Sequence, residues 1–126
     1  LLPTPPEVIA GSTRLGAGTA QKIALNTMST YMGILLGHVM DGQMVNLIAN
    51  NAKLFKRSEK IVINITGCNA NKAKNALREA KGGVKLAILL ASGAKSITTA
   101  QNILASEKQN LRLAIKRVKF EKLGSK

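Results

Sequence analysis

The chain has 126 residues, and its 19 Lys and Arg against 6 Asp and Glu give a formal charge of +13. At 45% hydrophobic residues it is too apolar for a disordered basic tail, and its length suits one ordinary domain or two very small ones. The single Cys68 and single His38 exclude an internal disulfide and a zinc cluster, and no apolar run reaches the roughly 20 residues that span a bilayer. A reducing compartment, the cytoplasm, is the resulting expectation. The charge is uneven: residues 1–52 are neutral, and the whole excess lies in 53–126.

The opening Leu1-Leu2-Pro3-Thr4-Pro5-Pro6 cannot be helical and reads as a strand end entering a loop, as in a piece of a longer protein. Residues 11–19 are rich in Gly and hydroxyl side chains, and Thr19 is the expected N-cap, with Ser12 or Thr13 as earlier alternatives. From Ala20 to Leu36 the helix expected is apolar on most sides, which marks an element that is buried or lies between two packed bodies. Residues 38–43 read as a connector turning at Asp41-Gly42.

A second long helix is expected over about 44–66, with Leu47, Ile48, Leu54, Ile61, Val62 and Ile65 inward and Gly67 past its end. Strand competes only at the β-branched run 61–65. Beyond Gly67 come short amphipathic units: a helix capped by Asn69 and ending near Lys81, and one over 84–91 closed by Ser92-Gly93. A third opens at Ser96 or Thr98, and a last one at Gln109 or Asn110. The fold class expected is mainly α, with a compact bundle over residues 67–126 that ends in a frayed tail.

Residues 6–26, Pro-Glu-Val-Ile-Ala-Gly-Ser-Thr-Arg-Leu-Gly-Ala-Gly-Thr-Ala-Gln-Lys-Ile-Ala-Leu-Asn, resemble the block shared by bacterial N-acetylmuramic acid 6-phosphate etherases and the glucokinase regulatory protein, both built on sugar isomerase (SIS) domains. Gly37-His38-Val39, Met44-Val45, Asn51-Ala52-Lys53-Leu54 with Arg57, Ile61-Val62 and Thr66-Gly67-Cys68 follow the etherase pattern in order and spacing. Val84-Lys85-Leu86-Ala87-Ile88 continues it. The chain departs from that pattern at Pro5, Gly16 and Asn46, where the family usually has Gly, Lys and a carboxylate. The resemblance implies that residues 1–66 are the C-terminal end of an SIS α/β domain and that 67–126 are the small helical domain following it. It also implies a cytoplasmic lyase of amino-sugar metabolism and peptidoglycan recycling, which removes D-lactate from N-acetylmuramic acid 6-phosphate without a cofactor.

Such an elimination needs a base and an acid, normally two positioned carboxyl groups. The resemblance puts them upstream of Leu1, and Glu7, Asp41, Glu59, Glu79, Glu107 and Glu121 form no evident pair. The isolated chain is therefore expected to be inactive. Glu7, Ser12, Thr13, Arg14, Thr19 and Lys22 are the candidates for substrate or phosphate contact: hydroxyls and cations beside flexible Gly, at a helix N-terminus whose partial positive charge suits phosphate. The plainer reading is that the hydroxyls cap a helix and that Glu7 pairs with Arg14 or Lys22. Residues 20–36 are expected to form a homodimer contact.

A second class of function is a helical nucleic-acid-binding module, suggested by the +13 charge and by Lys108, Arg112, Lys116 and Lys119 at near-helical spacing. Against it, Tyr31, Phe55 and Phe120 are the whole aromatic complement, which leaves little material for base stacking. His38 is expected at the surface and Cys68 as a small packed apolar residue.

Overall fold

A computed structural model describes residues 1–123. Part of the frayed tail expected at the end of the bundle lies outside them. The chain forms two compact units, Leu1–Leu35 and Leu36–Lys126. Among the described residues the architecture is mainly α, with six helices and one two-stranded hairpin.

The first unit is a loop feeding α1 (Gly16–Leu35). The helix starts earlier than a Thr19 cap implies, and Thr19 is its fourth residue. The cap comes from farther away: the Glu7 carboxylate accepts hydrogen bonds from the Gly16 and Ala17 amides, both at 3.0 Å. A buried helix is not what forms here: none of the α1 residues is buried, and Ile23, Leu25, Met28, Tyr31, Met32 and Ile34 are all exposed.

The second unit opens with a hairpin, β1 (Val39–Met40) antiparallel to β2 (Gln43–Met44), with Val39 opposite Met44. Asp41 and Gly42 both have positive φ, 48° and 71°, as the tight primed turns of two-residue hairpins demand. The helix expected from residue 44 begins only at α2 (Ala52–Thr66), where Asn51 caps the Leu54 amide at 2.9 Å. The preceding residues stay outside the helix because they have another partner. The Ala49 amide donates to the Gly82 carbonyl and the Val84 amide to Leu47, pairing Ile48 with Gly83. Gly82 (φ 82°) permits this, since a Cβ there would lie 2.5 Å from the Ala49 oxygen. Ile48, expected inward, is consequently 69% exposed, and Val45 takes the fully buried place.

The β-branched run 61–65 is helical and ends at Gly67, a left-handed C-cap whose amide donates to the Ile63 carbonyl. Then follow α3 (Ala70–Glu79), α4 (Val84–Ser92), α5 (Ile97–Ser106) and α6 (Leu111–Leu123). Asn69, Ser96 and Asn110 cap α3, α5 and α6 through the Lys72, Thr99 and Leu113 amides. On α3, Ala73, Ala76 and Leu77 are buried while Lys72, Lys74 and Arg78 face solvent.

Apolar nearly throughout, α4 is the central element and packs against α2, α3, α5 and α6. Leu77, Ile88, Leu89, Val45, Val62 and Val84 are its largest fully buried neighbours and members. Alanines at 73, 76, 87, 91, 100 and 114 let the helix backbones approach closely around them. Cys68 is half-buried against this core. Charged groups stay outside: Arg112 meets Asp41 at 2.6 Å, and Arg117 bridges Glu107 and Glu121 at 3.3 Å each. Exposed pairs of this kind stabilise by at most about 1 kcal/mol.

Candidate functional site

The six candidate residues fall in the first unit, on the loop into α1 and on its first turns. The loop turns back at residues 9–12, where the Ser12 amide donates to the Ile9 carbonyl at 3.0 Å and Gly11 takes a positive φ of 80°. Glu7 then closes it from below. With both oxygens accepting backbone N–H groups, the Glu7 carboxyl is held below the ordinary carboxylate range, first by Gly16 and then by Ala17.

The ion pair considered for Glu7 with Arg14 or Lys22 does not form among the described residues. Its charge goes instead to the positive end of the helix. Local sequence rules miss this contact because the acceptor lies nine and ten residues before its donors, outside any capping box.

The remaining first-turn amides are also satisfied, Gly18 by the Thr13 carbonyl at 2.9 Å and Thr19 by the Leu15 carbonyl at 3.2 Å. The N-terminus of α1 is therefore internally capped, and the amides that would otherwise welcome an anion are occupied. Side chains are what the loop offers instead. Ser12 is half-buried, its Oγ 3.5 Å from the Arg14 amide, whereas Thr13, Arg14, Thr19 and Lys22 are exposed. Thr19 and Lys22 stand three residues apart on one helical face. Hydroxyls with a guanidinium and an ammonium can bind a phosphate or a sugar hydroxyl array. They include no pair of carboxyl groups to serve as base and acid for an elimination.

Carboxylates elsewhere do not make up the deficit. Asp41, Glu107 and Glu121 are engaged with arginines, and Glu59 stands beside Lys56, Lys74 and Arg78 on a shallow surface. Among the described residues no three His, Cys, Asp or Glu side chains gather as metal ligands, and no helix is long and apolar enough to cross a membrane. The basic series considered for nucleic acid is split. Arg112, Lys116 and Lys119 are exposed on α6, but Lys108 (φ 49°) sits in the turn before it.

Comparison with known proteins identifies relatives for most of the chain. It is 43% identical over 112 residues to an N-acetylmuramic acid 6-phosphate etherase of Synechococcus sp. (strain CC9605), an alignment covering 89% of this chain and 35% of that protein. It is 50% identical over 90 residues to the etherase of Deinococcus radiodurans, covering 71% of this chain and 30% of the relative. An etherase of Prochlorococcus marinus aligns over 118 residues at 40% identity, covering 94% of this chain and 38% of the relative. No family model matches the chain. The chain spans about a third of the length of these curated relatives.

Proposed function

From this relationship to part of the N-acetylmuramic acid 6-phosphate etherases, we propose that the chain is the C-terminal part of a carbon–oxygen lyase. The lyase removes D-lactate from N-acetylmuramic acid 6-phosphate and yields N-acetylglucosamine 6-phosphate, in cytoplasmic recycling of cell-wall sugar. The observation that carries the reading is identity of 40–43% sustained over 112–118 residues with proteins of that name. Residues 1–66 then derive from the end of an SIS domain and 67–126 from the helical domain following it.

In the elimination, a base takes the proton from the acetamido-bearing carbon and an acid protonates the departing ether oxygen. Lactate leaves, and water adds across the new double bond. Both proton-transfer groups belong to the remainder of the parent. This chain contributes the loop at 7–22: Ser12, Thr13 and Arg14 at its tip, with Thr19 and Lys22 on α1, contact the phosphorylated sugar. Glu7 is a positioning residue that fixes the loop to the start of the helix.

The exposed apolar residues of α1 support its use as a contact, and a second copy of the chain is the partner proposed.

The 126-residue chain alone is expected to release no lactate from the phosphosugar. Replacing the matching segment of the Synechococcus etherase with this chain should retain lactate release. A soluble, folded chimera without activity would sink the reading, as would turnover by the isolated chain.

A further inference from the structure

Within the second unit a cleft of about 590 Å3 opens between the 45–48 segment, the start of α4 and the turn between α5 and α6. That volume lies in the range of small-molecule sites. Its walls are apolar, formed by Val45, Leu47, Ile48, Leu86 and Leu104, and its charged lining has one sign. Lys81 and Lys85 face it together with the amides of Asn46, Gln101 and Gln109, and no carboxylate lines it among the described residues.

Lys85 is the unusual member. It stands in the first turn of a helix that is otherwise apolar up to Ser92, and it is only 6% exposed. Its Nζ donates to the Gln109 carbonyl at 3.2 Å, which employs one of three ammonium donors. Burial holds the amine below the ordinary lysine value, as happens when a cation leaves water with no counter-charge. The same end of α4 starts at Gly83 with no side-chain cap; the Val84 amide is taken by the Leu47 carbonyl, and the helix dipole there has the same sign as the lysines. Tying α4 to the α5–α6 turn accounts for a hydrogen-bonding group at position 85. It does not account for a full charge facing an apolar cleft.

We propose that this cleft binds a small carboxylic acid with an apolar body, its carboxylate held by Lys85 with Lys81 at the rim, and its hydrocarbon part lying against Leu47, Ile48 and Leu104. The site shares no residue with the loop at 7–22 and is independent of the etherase reading.

The test is an amide-resolved NMR titration of the whole 126-residue chain with hexanoate, hexanol and inorganic phosphate. Hexanoate should give saturable shifts at the Lys85, Leu86 and Gln109 amides, with an affinity at least about tenfold above that of hexanol and of phosphate. Lys81→Gln should weaken hexanoate binding several-fold, and Lys85→Met should abolish the preference for hexanoate over hexanol. Lys85→Met also deletes the bond to Gln109, so Lys81→Gln, an exposed change, carries the test if that variant unfolds. Failure of hexanoate to saturate these amides overturns the proposal. Equal affinity for hexanol removes the role of the charge, and tighter binding of phosphate removes the role of the apolar walls. Either result overturns it too.

Discussion

Helices α1 and α4 are written in similar language and meet opposite fates. Both are apolar around most of their circumference, yet α4 buries Val84, Lys85, Ala87, Ile88, Leu89 and Ala91, and α1 buries nothing. Four neighbouring helices cover α4. An all-round apolar helix thus states that it must be covered, and the surrounding chain decides whether the cover is present. α4 holds the second unit together, and α1 leaves Ile23, Leu25, Met28, Tyr31, Met32 and Ile34 exposed.

Truncation in the covered helix should have the largest effect. Ile88→Ala is expected to destabilise the second unit by about 2–5 kcal/mol in urea unfolding followed by circular dichroism, because a fully buried side chain is lost from among packed helices. A loss under about 1 kcal/mol would mean that α4 is not the central support.

The matching change in α1, Met28→Lys, should leave that unfolding within about 0.5 kcal/mol, as surface changes do. It should shift sedimentation of the chain toward monomer. An unchanged association state would remove α1 from the contact.

Smaller effects test the ends and one flaw of the packed unit. Asn51→Ala should cost about 1 kcal/mol through loss of the bond to the Leu54 amide. Ser58→Ala should be neutral or stabilising by roughly 1 kcal/mol, since the Ser58 hydroxyl is fully buried and meets no hydrogen-bond partner among the described residues. A destabilised Ser58→Ala would show that the hydroxyl is satisfied in solution.

The smallest and most local effect concerns pH at the start of α1. Glu7 has a lowered folded-state pKa, so its contribution is complete above the ordinary carboxylate value and is lost as pH falls through the lowered one. The Gly16 and Ala17 amide resonances should move in that acidic window. Glu7→Gln should abolish the movement while leaving the second unit unaltered.

The helical bundle is largely legible in the sequence because its signals are local. Asn69, Ser96 and Asn110 stand immediately before apolar-periodic runs and cap the helices that follow, and Gly67 and Gly93 close α2 and α4. The start of α2 is not legible, because helix propensity says nothing about the pairing of Leu47–Ala49 with the turn at Gly82, more than thirty residues away. At the loop, the motif draws attention to the hydroxyls. The carboxylate that caps the helix acts across nine and ten residues and carries no periodicity.

Residue types and short spacings are enough to give the mainly helical class, the punctuation of the bundle, the neutral first part and basic second part, and the relationship to the etherases. Only the folded arrangement places Glu7 at the start of α1, keeps residues 45–49 out of the helix, and buries Lys85 beside a cleft with no carboxylate in its described lining. These features depend on which distant backbone groups meet, and on how much water is left around a charge, which no local pattern encodes.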